Sequence, residues 1–177
     1  MVRLRLRHRY PSRHQPRRLP SATLWVVLVL ACTGCLGGSP SPRLLPAIDL
    51  PDLRTPSGRH TNRQYLGRPL VINVFASTCV PCKKELPMIT RVAATEPGVA
   101  FLGVDQLEFR RTALAFVTGL KVDFPVALDE AGDLAVSLQL AGLPTTIFVD
   151  PEGRETARVT GPITENSLRR HIHALLR

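Results

Sequence analysis

The sequence predicts an α/β fold with a mixed central β-sheet flanked by helices. Three observations carry this: from residue 70 onward, near-continuous apolar runs of strand length alternate with segments of helical period. A hairpin signature, Thr145–Val149 with the turn Asp150-Pro151-Glu152-Gly153 and then Glu155–Thr160, follows the last alternation, and a final helix closes the chain. No internal repeat is present at solenoid periods.

Taken in order, the chain begins with a basic segment. Residues 1–20 hold seven of the 23 Lys and Arg and no acid. The rest carries 16 basic against 14 acidic side chains, so the formal charge of +9 belongs mostly to the N-terminus and the globular part makes no case for nucleic acid. Ala22–Ala31 is an apolar run that ends in small residues and cysteine, the order of a secretory signal: basic region, apolar region, cleavage site. It is short for a membrane span of about 20 residues, and an uncleaved anchor stays open as an alternative. Cys32 and Cys35 are both lipidation candidates, each a partial match to a bacterial lipoprotein cleavage site. Their CxxC spacing also admits a redox pair or half a zinc site, which the absence of a matching second ligand pair disfavours.

Residues 36–46 are rich in Gly, Ser and Pro and read as a flexible tether. The organisation is therefore a signal or anchor at 1–35, a tether at 36–46 and a globular domain at 47–177. Within the domain, Ile48, Leu50 and Leu53 suit an edge element and Pro56-Ser57-Gly58 a turn. Gly67-Arg68-Pro69 leads into Leu70–Phe75, apolar enough for a strand buried on both faces. Glu85, Leu86, Met88, Ile89, Val92 and Ala93 recur at helical spacing, with Pro87 expected to kink that helix, and Glu96-Pro97-Gly98 closes it. Val99–Val104 is a second buried strand. Leu107, Leu114, Ala115, Phe116 and Val117 give the next helix. Phe124–Leu128 is a short strand before Asp129-Glu130-Ala131-Gly132, and Leu134, Val136, Leu138 and Leu140 are expected in one helix. Thr164 is an N-cap for the last helix, which buries Leu168, Ile172 and Leu175.

The chemistry concentrates at Cys79-Val80-Pro81-Cys82, between the first buried strand and the first long helix. A thiol attacks as thiolate, and a helix N-terminus lowers its pKa, which makes Cys79 the candidate attacking group. Cys82, one turn on, would resolve the mixed disulfide formed with a substrate. Pro81 suits a first helical turn, where its missing N–H is not needed. A structural disulfide usually closes a longer loop, and zinc would need ligands that His60, His171 and His173 are too distant in sequence to supply, so a redox pair requiring no cofactor or metal is the reading.

Three stretches together resemble the extracytoplasmic thiol-disulfide oxidoreductases of the TlpA/ResA type, which have a thioredoxin-like fold and include cytochrome c maturation proteins. They are Gly67–Ser77, Cys79–Pro87 with Lys83-Lys84-Glu85 after the pair, and Gly142-Leu143-Pro144-Thr145-Thr146 running on to Gly153. The resemblance implies that Pro144 is a cis-proline facing the dithiol, with Leu143 lending its backbone to a bound substrate strand, and that Glu85 lies near the dithiol and tunes it. Asn73 stands where cytoplasmic thioredoxins have a buried acid. The 62 residues from Cys82 to Pro144 leave room for the β-α insertion of that group. Where the group usually has Trp before the first cysteine, this chain has Thr78, which puts partner choice in question and makes Thr78 a candidate substrate contact.

The implied activity is disulfide reduction outside the cytoplasm, in a protein held at the membrane by its N-terminus. Its partners would be protein thiols and disulfides such as apocytochrome c, and a membrane electron donor. Alternatives are an oxidant of secreted thiols, a thiol peroxidase, or a non-catalytic binding lipoprotein.

Overall fold

A computed structural model describes residues 43–177, so the signal, Cys32 and Cys35 lie outside the described residues. In chain order the elements are β1 (Arg43–Leu44), β2 (Asp49–Pro51), β3 (Arg59–Thr61), a 3-10 turn at Asn62–Gln64, β4 (Leu70–Phe75), α1 (Val80–Thr95), β5 (Ala100–Gln106), α2 (Arg110–Gly119), β6 (Val126–Asp129), α3 (Asp133–Ser137), β7 (Thr145–Val149), β8 (Arg154–Thr160) and α4 (Glu165–Leu175). Six strands form one sheet in the order β1-β8-β7-β4-β5-β6, and β2 and β3 form a separate hairpin. The β4–β5 and β5–β6 pairs are parallel, while β4–β7, β7–β8 and β1–β8 are antiparallel. This is the mixed sheet of a thioredoxin-like fold, and the β5–α2 and β6–α3 units fill the stretch between Cys82 and Pro144.

Because β4 is central and covered on both faces, all six of its residues are buried, which is why it lacks the alternation of a half-exposed strand. Val71 and Phe75 face one core cluster with Leu86, Ile89 and Val92 of α1 and Leu168 and Ile172 of α4. Ile72 and Val74 face a second with Leu102, Val104, Leu134, Leu138 and Ile147. The buried positions of α1, Cys82, Glu85, Leu86, Ile89 and Val92, fall at the 3–4 residue spacing of one helix face. Gly103 is glycine because the sheet is crowded there: a Cβ would stand 2.9 Å from Phe75 and 3.1 Å from Phe124.

The boundaries differ from the sequence reading in three places. Arg43 and Leu44 pair with Glu155 and Arg154, so sheet pairing starts inside the stretch read as tether. The helix at Leu134 ends at Ser137, and Leu138 and Leu140 lie beyond it; Gln139 turns the chain with φ 53°. Leu107 precedes α2 instead of joining it, with φ 57° and its side chain within 2.8 Å of where a Cβ on Gly132 would be. The first long helix continues through Pro87 to Thr95.

The β2–β3 hairpin is fixed by a buried polar network that sequence pattern does not show. His60 meets Asp52 Oδ2 at 2.8 Å through Nε2 and Tyr65 Oη at 2.9 Å through Nδ1. His60 thus bridges Asp52 and Tyr65 through its two ring nitrogens, so that all three side chains have a partner. Burial, then Asp52's charge, pushes Tyr65 up to about 12. Burial acts to raise Asp52, but the main-chain N–H of Thr55, His60, and the N–H of Arg54 outweigh it and hold the carboxyl below its ordinary range. A depressed carboxyl contributes stability above its unfolded pKa, near 4, and loses it as pH falls through the folded value. Asp52→Asn should therefore cost about 1–2 kcal/mol at pH 7. Its gap from wild type should close as the pH falls below the ordinary carboxylate range, as urea unfolding at a series of pH values would measure.

Candidate active site

The dithiol sits where β4 hands over to α1. After Phe75 the chain turns through Ala76-Ser77-Thr78, closed by the Cys79 N–H donating to Ala76 O at 3.1 Å. Cys79 is the N-cap of α1, with extended φ and ψ of −82° and 102°. Its Sγ accepts from the Cys82 N–H at 3.2 Å, so the sulfur occupies the place where a capping side chain meets the free N–H groups of a first turn. Pro81 falls within that turn, where it forfeits no hydrogen bond. Cys79 and Cys82 are joined in a disulfide with Cα atoms 5.3 Å apart. The two sulfurs are not equivalent: Cys82 is fully buried in the α1-side core, whereas Cys79 keeps part of its surface.

One turn after Cys82, Glu85 points into the protein and is 5% exposed. Its Oε1 accepts from Asn73 Nδ2 and its Oε2 from the Ile163 N–H, both at 2.9 Å. Burial pushes Glu85 above the ordinary carboxylate range, and the bonds from Ile163 and Asn73 pull part of the way back. Asn73 also donates to Thr146 Oγ1 at 3.1 Å, its register partner on β7. Glu85 thus ties α1, β4, β7 and the segment before α4 together directly behind the dithiol. A groove of ≈ 520 Å³ runs beside it, lined by Val80, Pro81, Met88, Pro162 and Ile163 among others.

The Leu143–Pro144 peptide is cis. Val74 pairs with Thr145, so the next step of that antiparallel register sets Pro144 level with Phe75, at the end of the sheet from which the dithiol loop leaves. Pro144 is buried and its carbonyl accepts from the Gly161 N–H at 2.8 Å, while Leu143 is partly buried against both core clusters. Thr78 is exposed next to Cys79. Among the described residues no group of three or more His, Cys, Asp or Glu gathers as a metal site would require.

The model of the Redoxin family matches residues 40–172. The chain belongs to the Redoxin family. Among its relatives, the thiol:disulfide interchange protein DsbE of Allochromatium vinosum is 32% identical over 70% of each chain. The thiol-disulfide oxidoreductase ResA of Geobacillus kaustophilus is 25% identical over 73% of this chain and 75% of its own. Among solved structures, MTB dsbF, determined in its mixed oxidized and reduced forms, superposes with a TM-score of 0.68 at 29% identity, covering 72% of this chain and 94% of that one. With the CxxC pair at the start of α1, this Redoxin-family protein is a thiol-disulfide oxidoreductase acting through Cys79 and Cys82.

Two features of the site escaped the sequence reading. Ser77 is bound through both its N–H and its hydroxyl to Glu108, and Asp105 is wholly buried close by. The sequence signal was available: an acid directly after the apolar run Val99–Val104, on a strand that the structure extends to Gln106.

Proposed function

We propose that the protein works as a reductant of protein disulfides outside the cytoplasm, held at the membrane through its N-terminal segment and acting on substrates of the apocytochrome c kind. The observation that carries the direction is the buried Glu85 behind buried Cys82. A carboxyl group in that place disfavours extra negative charge around the dithiol. The reduced, thiolate-bearing form is then less stabilised, which makes the couple more reducing.

In this reading Cys79, the more accessible sulfur, attacks the substrate disulfide. Cys82 then attacks Cys79 in the mixed disulfide, releasing the substrate as dithiol and leaving the Cys79–Cys82 disulfide. Two electrons pass from the dithiol to the substrate, and a membrane donor returns them. Leu143 and Pro144 offer backbone to the incoming substrate strand, and exposed Thr78 and Val80 meet it beside Cys79. The apolar groove along α1 suits a polypeptide better than a small polar thiol.

The midpoint potential of the Cys79–Cys82 couple, measured against glutathione or dithiothreitol, tests the direction. A value at or below about −230 mV is expected of a reductant. One near −120 mV, as in a strong oxidant, would reverse the proposal in favour of an oxidant of secreted thiols.

A further inference from the structure

Asp105 has no exposed surface. Register places it beside Phe75 on β4 and Leu128 on β6, so both sheet neighbours are apolar. Neither carboxyl oxygen meets a hydrogen-bond donor among the described residues. An ionised carboxylate in such a place is a bare buried charge, which proteins avoid by keeping the proton. Burial first, then the charge of Glu108, pushes Asp105 up to about 8.

Glu108 is itself committed. Its Oε2 accepts from the Ser77 N–H at 3.0 Å, and its Oε1 accepts from the Ser77 hydroxyl. Ser77 lies two residues before Cys79, in the turn closed by the Cys79 N–H. Two hydrogen bonds therefore fix Glu108 to the hinge of the dithiol loop. Other charges at this end of the sheet are placed differently. Lys83 and Lys84 on α1 are exposed, Arg110 on α2 donates to the carbonyls of Asp52 and Leu53 at 2.6 Å, and Asp129 on β6 accepts from the Ala135 N–H at 3.0 Å.

We propose that Glu108 is a positioning residue for the dithiol, gripping Ser77 through both carboxylate oxygens and holding a negative charge beside the loop that ends in Cys79. This rests on Cys79 being the attacking thiol. The gripped carboxylate opposes the Cys79 thiolate, favouring the disulfide over the dithiol, and so works in the same direction as Glu85.

The test uses the full chain with Glu108→Gln and Ser77→Ala. Its readouts are the equilibrium constant with the glutathione couple and the pH profile of Cys79 alkylation in the reduced protein. Glu108→Gln should move the equilibrium about tenfold toward the dithiol and the alkylation profile about one pH unit lower, since one pKa unit is a factor of ten. Ser77→Ala should move both in the same direction by roughly threefold, as expected for losing one of two bonds.

Both readouts within twofold of wild type for Glu108→Gln and Ser77→Ala would overturn the proposal, even with a lowered melting temperature, because that pattern assigns Glu108 to stability alone. Should Glu108→Gln fail to fold, Ser77→Ala decides, since Ser77 lies in a part-exposed turn. Failure of the underlying reading shows separately, as exchange activity that persists in Cys79→Ser with Glu108 intact.

Discussion

Cys79→Ser is expected to abolish exchange with a model protein disulfide, reducing the rate to the uncatalysed background, while Cys82→Ser should still attack and accumulate a mixed disulfide. The asymmetry follows from where the sulfurs sit. Cys79 is the N-cap and keeps solvent access, whereas Cys82 is fully buried one turn inside α1. On the proposed mechanism a substrate meets the first, and the second displaces the substrate from it. Loss of the nucleophile removes the covalent route altogether, which makes this the largest effect expected of any single change. Non-reducing electrophoresis of each variant after incubation with an oxidised substrate separates the outcomes. Adduct on Cys79→Ser, and none on Cys82→Ser, would reverse the assignment of roles.

Glu85→Ala is expected to destabilise the protein by about 2–4 kcal/mol, because it leaves the Asn73 amide and the Ile163 N–H without their acceptor in a buried place. Asn73 keeps Thr146 Oγ1, which limits the loss on that side. Glu85→Gln should cost about half as much, since its carbonyl oxygen can serve one donor while its amide faces the other. The pH dependence has a definite sign. Burial raises the folded pKa of Glu85, so its contribution to stability is fully present below the unfolded value, near 4.3, and declines as pH rises through the folded value. The gap between wild type and Glu85→Gln in urea unfolding should therefore be widest below about pH 4 and narrow toward neutrality. A gap that widens with pH would mean that the folded pKa of Glu85 lies below its unfolded value.

The sequence disclosed the site wherever chemistry and local pattern coincide. Leu70–Phe75 is a strand at the residues its apolar run occupies, because a strand buried on both faces is apolar at every position but Asn73. Cys79 starts a helix because Pro81 and the following 3–4 residue period demand one. Pro144 was placed only through resemblance, since an X-Pro bond says nothing alone about its isomer.

What stayed hidden depends on contacts distant in sequence. Leu134, Val136, Leu138 and Leu140 alternate in a way that fits a helix or a turn equally. Only packing separates buried Leu138 from Val136, which is 78% exposed. Likewise nothing near Glu108 in sequence indicates that its partner is Ser77, on the far side of α1, or that Asp52, His60 and Tyr65 meet across a hairpin.

The sheet order has a mechanical meaning. β4 is flanked by β7 on one side and β5 on the other and lies beneath core on both faces, so it belongs to the part of the protein that opens only when the whole fold opens. The reactive loop is thus a short, adjustable tip mounted on the least yielding strand. Each catalytic cycle can rearrange the residues around Cys79 without drawing on the stability of the domain, and each oxidation or reduction begins and ends on the same scaffold.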